Sequence, residues 1–210
     1  MLKRSFDIAL SGTGILFSSP LWLVIAILIF LEDHGKIFFT QNRVGLHGKL
    51  FKAYKFRSMK DTERQGSLDE IQASENDPRV TRVGKILRAT AMDELPQLIN
   101  ILKGDMSFVG PRALLPNEVE INQNGNDEKN LEELFAKRCT VTPGLTGIAQ
   151  IFLPRDVPRE KKFQYDLLYI QKRSFLFDLK LIFLSFWITL RGKWESRENK
   201  LGQADRRFNV

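Results

Sequence analysis

The stretch LFSSPLW, residues 16–22, lies inside an apolar run from Ile8 to Leu31 that carries no charge. These 24 residues are enough to cross a bilayer, yet Pro20 stands near the middle, directly behind Ser18 and Ser19. A signal peptide has Lys3 and Arg4 in its favour, but the run is long for one and no small-x-small cleavage site precedes Glu32. A buried core helix is the ordinary alternative, although such helices rarely stay apolar on every face over this length. A straight transmembrane span is the main rival. Against it, Lys3 and Arg4 precede the run while Lys36, Arg43, Lys49, Lys52, Lys55 and Arg57 follow it. The positive-inside tendency therefore draws both ends to the cytoplasmic side.

A re-entrant hairpin satisfies both ends. Pro20 removes a backbone donor and crowds the preceding turn, so a helix breaks or bends there. Residues 8–19 and 21–31 then form two arms of about 16–18 Å, roughly half of a bilayer core. The hydroxyls of Ser18 and Ser19 are expected to bond the carbonyls that the break frees. Gly12 and Gly14 let the first arm approach a neighbour closely. On these features alone hairpin and span stand level.

The rest of the composition narrows the partners. The 210 residues suit one domain with an appended membrane element. A net charge of +7 points to anionic partners such as phosphates, an anionic membrane face or nucleic acid. Cys139 is the single cysteine, so no intrachain disulfide forms, and a reducing compartment fits. His34 and His47 are the only histidines, which argues against a histidine-rich zinc site.

Beyond the anchor, GKIFFTQNRVG (35–45) and GKLFKAYKFRSM (48–59) each read as a short strand, with a turn between at Gly45 and Gly48. Residues 60–79 and 122–130 are polar and read as exposed loops. No internal repeat, low-complexity tract or linker is evident. Strand and long helix do not alternate regularly, so the expected class is α+β: a mostly helical compact body with a few short strands, plus the N-terminal hairpin. The expected division is a membrane hairpin at 1–34, a catalytic body with interfacial helices at 35–190 and a basic tail at 191–210.

The sharpest signal is LRATAMDELPQLINILKGDMSFVGPRALLP, residues 87–116. Leu95, Leu98, Ile99 and Leu102 follow i, i+3, i+4, i+7 spacing, which predicts a helix with one buried face. Gly104 ends it, and Pro96 fits only near its start, around Met92–Asp93. Asp93 and Glu94 then sit in or beside the first turn, where free amides and the dipole favour carboxylate and phosphate. Acidic pairs are common, and Asp93 as a mere cap is worth only about 1 kcal/mol. This pair differs in its surroundings: Lys85 and Arg88 upstream, Arg112 downstream, and MSFVGPR as a small-residue loop whose amides suit an anion. Two carboxylates among cations suit Mg²⁺-assisted phosphoryl transfer.

SSP within the apolar run, QNRVG, FKAYKFRSM, LRATAMDELPQLINILKGDMSFVGPR and TPGLTGIAQ, in this order from Ser5 to about Leu190, together resemble the bacterial sugar transferases known as monotopic phosphoglycosyl transferases. The resemblance implies an enzyme on the cytoplasmic face of the bacterial inner membrane, held by a re-entrant helix broken at Ser19-Pro20. It implies transfer of a sugar 1-phosphate from a UDP-sugar donor to a polyprenyl (undecaprenyl) phosphate acceptor, with release of UMP, to begin a surface glycan. Downstream glycosyltransferases are then natural partners among inner-membrane lipid, and nucleic acid is not one. Asp93 matches the nucleophile that forms a covalent phosphosugar intermediate, with Glu94 helping to hold Mg²⁺. Arg88 matches the position associated with the acceptor phosphate, and Pro111 and Arg112 match the nucleotide loop. Lys55 and Arg57 belong to the KFRSM strand at the site, and Asp178 matches an acidic position in FDLK.

Two departures bear on detail. Pro111-Arg112-Ala113 stands where many relatives have Pro-Arg-Pro, so the loop loses one rigid position. Phe152-Leu153-Pro154-Arg155 stands where relatives often carry Asn-Gly-Arg-Asn, with Arg155 the expected replacement arginine and an altered sugar preference the expected consequence. FLFDLKLIFLSFWITL (175–190) reads either as a buried core helix or as a helix in the headgroup layer. The contrasting reading of the whole chain is a non-catalytic, basic, membrane-attached binding module. It leaves Asp93, Glu94 and the Gly-Pro-Arg loop without a purpose.

Overall fold

The computed structural model describes residues 2–60, 77–116, 128–154 and 157–191. Most of the first expected loop, part of the second, Arg155 and nearly all of the basic tail lie outside the described residues. Residues 128–130 of the second expected loop are helical instead, opening a helix that runs to Arg138.

A helix α1 spans Leu2–Asp33 and is long and apolar enough to cross a membrane. It runs unbroken through Pro20, so the two separate arms expected from sequence are one continuous helix. The local hydrogen bonding gives a reason. Pro20 cannot donate to the Leu16 carbonyl, and the Ser19 hydroxyl donates to it instead at 2.8 Å. Ser18 similarly donates to Gly14 at 2.6 Å. Of the two glycines expected at close approaches, Gly14 is used: a Cβ there would meet Leu98 at 3.3 Å. Gly12 faces open space.

The hairpin of β1 (Phe38–Val44) and β2 (Leu50–Phe56) follows α1 and is antiparallel, with Lys55 opposite Phe39. Helix α2 (Arg82–Ala89) is capped twice: Thr81 accepts from Gly84 at 2.9 Å, and Glu32 at the end of α1 accepts from Arg82 at 2.6 Å. A 3-10 turn, Met92–Glu94, leads through Pro96 into α3 (Gln97–Lys103), which Gly104 ends in the left-handed conformation. The helix thus begins at Gln97 rather than near Asp93. Its buried face also differs from the expected one: Leu98 and Ile101 are buried, whereas Leu102 is 39% exposed. The late start, and a fully buried Asn100 bonded to β2, set that rotation.

A short parallel pair joins β3 (Ser107–Val109) and β4 (Gly144–Thr146). Helix α7 (Phe175–Leu190) packs on this pair; α5 (Ile148–Phe152) packs on α7 and on α6 (Arg159–Lys172), and α4 (Glu128–Arg138) packs on α6. One core gathers Val109, Ile148, Ile151, Leu153, Tyr165 and Leu181, and a second joins Ile25 and Ile29 of α1 to Phe56 and Leu87. The architecture is α+β, mostly helical with few short strands, as expected. Only Asp178 and Leu181 of α7 are buried, while Leu176, Phe183, Phe186 and Leu190 are exposed. Of the two readings of α7, a buried core helix does not fit.

Candidate active site

The dyad sits on the 3-10 turn between α2 and α3. Ala91 just before it is left-handed, with φ of 55°, a conformation that costs a β-carbon residue about 1 kcal/mol. This reversal brings the end of α2, with Arg88, back toward the carboxylates, and Asp93 experiences the Arg88 charge. From β2, Lys55 Nζ reaches Glu94 Oε1 at 2.6 Å. From the loop after β3, Arg112 lies 3.9 Å from the same oxygen.

The two carboxylates are not equivalent. Among the described residues the Asp93 carboxylate makes no hydrogen bond or ion pair, whereas Glu94 holds Lys55. Burial, together with the charge of Glu94, pushes Asp93 up to about 6 despite Lys55, Arg88 and Arg112. Burial acts upward on Glu94 as well, but Lys55, Arg112 and Arg43 outweigh it and bring Glu94 down to about 2. One carboxylate is therefore fixed as an anion by its partners, and the other is a more basic carboxylate without a hydrogen-bond or ion-pair partner among the described residues.

The loop carrying Arg112 is held by backbone contacts. Gly144 donates to the Pro111 carbonyl at 2.8 Å, and Gly110 donates to Thr146 at 2.9 Å. A Cβ at Gly110 would overlap the Thr142 carbonyl, and one at Gly144 would overlap the Gly110 amide, so this approach requires glycine on both sides. From β1, Arg43 donates to the Ala113 carbonyl at 3.1 Å, and the Val44 amide donates to Leu114 at 2.8 Å.

Lys55, Arg88, Arg112 and the dyad are thus brought together, with Pro111 supporting the loop, whereas Lys85 is not among the main charges acting on the dyad. Arg57 and Asp178 are placed elsewhere, one at each end of α1. Arg57 is 7% exposed and pairs with Asp33. Asp178 pairs with Lys3 and accepts from Tyr169 at 2.8 Å. Phe152 and Leu153 pack into the core around Val109 and Ile148, and Leu153 is 1% exposed, so these two residues turn away from the site.

Sequence reasoning missed two residues that set this geometry. Asn100 accepts from the Tyr54 amide at 3.0 Å and donates to the Lys52 carbonyl at 2.7 Å, so it ties α3 to the strand that carries Lys55. Its signal was a polar residue among Leu98, Ile99, Ile101 and Leu102. Arg43 was visible in QNRVG, but nothing in the sequence placed it against the Arg112 loop.

Among the described residues no group of three or more His, Cys, Asp or Glu gathers around one point. Mg²⁺ commonly takes only one or two carboxylates and completes its shell with water and substrate phosphates. The Asp93 oxygens and the second Glu94 oxygen fit that donor set.

Residues 1–192 match the family described as bacterial sugar transferase. The chain is 43% identical over 190 residues to the UDP-glucose:undecaprenyl-phosphate glucose-1-phosphate transferase of Escherichia coli, covering 88% of this chain and 39% of that protein. Against the exopolysaccharide production protein ExoY of Rhizobium meliloti it is 37% identical over 196 residues, covering 87% and 83%. Against the undecaprenyl-phosphate galactose phosphotransferase of Salmonella typhimurium it is 37% identical over 204 residues, covering 90% and 40%. The chain therefore spans about two fifths of the first and third of these relatives.

Proposed function

The chain belongs to the bacterial sugar transferase family, and on that premise we propose that it transfers a sugar 1-phosphate from a UDP-sugar to polyprenyl phosphate, as undecaprenyl phosphate, releasing UMP and starting a surface glycan. The observation that carries this reading is the inequality of the dyad: Glu94 is ion-paired by Lys55 and Arg112, and Asp93 is basic and unpartnered.

An Asp93 oxygen attacks the phosphorus that bears the sugar. The bond from that phosphorus to the bridging oxygen breaks, and its electron pair leaves with UMP. A phosphate oxygen of the polyprenyl acceptor then attacks the same phosphorus and breaks the aspartyl–phosphorus bond, regenerating the carboxylate. Arg112, with 53% of its side chain exposed, is positioned to meet the donor diphosphate, and Arg88 the acceptor phosphate. Lys55 keeps Glu94 anionic and offsets charge beside the transferring group. Asp93 and Glu94 would hold Mg²⁺, which neutralises developing charge on the phosphate oxygens.

The acceptor is lipid-borne, and α1 supports a monotopic placement on the cytoplasmic face of the bacterial inner membrane. A span separates its ends by the roughly 30 Å bilayer core. Here both ends bind the same polar body. Lys3 and Asp7 meet Asp178 and Phe108, while Glu32 and Asp33 meet α2 and Arg57. The apolar residues Leu16, Phe17, Leu23 and Val24 between them are exposed, as contact with lipid requires. The exposed apolar face of α7, with Arg191 stacked 4.5 Å over Trp187, suits the headgroup layer.

The test is UMP release from UDP-glucose or UDP-galactose in nanodiscs containing undecaprenyl phosphate and Mg²⁺. Acceptor-dependent UMP release by the wild type and none by Asp93→Asn supports the reading. Undiminished release by folded Asp93→Asn contradicts it.

A further inference from the structure

Arg138 at the end of α4 and Asp166 in α6 form an ion pair in which both side chains are 4% exposed. Arg138 Nε and Nη2 donate to Asp166 Oδ2 at 3.0 and 2.8 Å. Nη2 also donates to the main-chain carbonyl of Arg112 at 2.7 Å. The guanidinium lies 4.7 Å over the Phe163 ring, which fixes its plane.

We propose that Arg138, oriented by Asp166, is a positioning residue that fixes the Arg112 backbone and thereby the guanidinium that meets the donor diphosphate. This rests on the donor role given to Arg112 above. A buried ion pair is poor evidence of stabilisation, because apolar residues of similar volume usually serve as well. What an apolar pair cannot supply is a donor to the Arg112 carbonyl. The other groups on this loop support that division of labour. Gly144 takes the Pro111 carbonyl and Arg43 takes that of Ala113, which leaves the carbonyl between them to Arg138. Nη2 makes this third contact while Nε and Nη2 together hold Asp166. A lysine is one bond shorter and lacks the planar Nε–Nη2 pair, so it loses that arrangement.

The test measures binding of UDP, with Mg²⁺, to the full chain in nanodiscs by calorimetry. Arg138→Lys, Arg112→Ala and the double variant are compared, with thermal unfolding as the check on folding. The expected result is a UDP Kd about five- to tenfold weaker in Arg138→Lys, the scale of one ordinary hydrogen bond. The double variant should bind no more weakly than Arg112→Ala alone, since Arg138 acts through Arg112. Wild-type affinity in folded Arg138→Lys, or losses that add in the double variant, overturns the inference and leaves the proposed reaction standing. Unchanged affinity in Arg112→Ala removes the donor role of Arg112 and this inference with it, while UMP release still reports on the reaction. If Arg138→Lys does not fold, Arg138→Met/Asp166→Leu replaces it and is read the same way.

Discussion

Lys55 Nζ and Glu94 Oε1 lie 2.6 Å apart, and this contact divides the labour between two adjacent carboxylates. Glu94 is committed to its cation, and Asp93, one residue earlier, is left basic. Removing Lys55 therefore affects both. Lys55→Met is expected to move the pH at which activity is half-maximal upward, because Lys55 is the foremost charge holding Asp93 down. It should also lower kcat roughly 10–100-fold. A pH–rate profile of UMP release checks both; an unmoved midpoint counts against the assignment.

Asp93 should weaken the fold it serves. Its folded pKa is about 6 against an ordinary value of 3.8, so the folded chain holds the proton more tightly than the unfolded one. The associated stability is present below about pH 4 and is lost as pH rises through about 6. At pH 8 the ionised group costs up to about 3 kcal/mol. Asp93→Asn is thus expected to unfold at a higher temperature than wild type at pH 8 and at the same temperature near pH 4. Thermal unfolding at the two pH values measures this, and an equal gain at both would disprove the titration argument.

Asn100 joins α3 to two part-buried peptide groups of β2. Asn100→Leu leaves the Tyr54 amide and the Lys52 carbonyl without their partner and should cost about 2–4 kcal/mol. Activity should fall further than stability alone explains, since Lys55 lies one residue past Tyr54. Denaturant titration alongside kinetics at a temperature where the variant is folded separates the two effects.

The glycines divide by what surrounds them. Gly144→Ala forces a methyl group onto the Gly110 amide and should cost roughly 2–4 kcal/mol, with loss of activity through the Arg112 loop. Gly12→Ala meets nothing within 4 Å and should change stability by about 1 kcal/mol or less, in the favourable direction. Thermal unfolding of the two variants is sufficient to rank them.

What was legible from sequence was whatever depended on local spacing. The apolar run around LFSSPLW, the two strands flanking Gly45 and Gly48, the Gly104 stop and Arg88 near Asp93 all follow from neighbours in the chain. The serine hydroxyl that replaces the donor lost at Pro20 was also foreseeable, because both partners lie within one helical turn. Tertiary contacts were not. Ile101 is buried rather than Leu102 because Asn100 docks on β2, a contact nearly 50 residues away in sequence. Arg57 and Asp178 carry charges suited to a substrate, yet each meets an end of α1. Nothing local to KFRSM or FDLK separates binding a phosphate from anchoring a helix.

The most direct measurement is the intact mass of the purified protein after incubation with Mg²⁺ and UDP-glucose or UDP-galactose, without lipid acceptor. A sugar-phosphate adduct, matched by released UMP and absent in Asp93→Asn, is the result this mechanism predicts. An unmodified wild-type mass under conditions where adding undecaprenyl phosphate yields UMP would mean direct transfer between substrates, and Asp93 would not be the nucleophile.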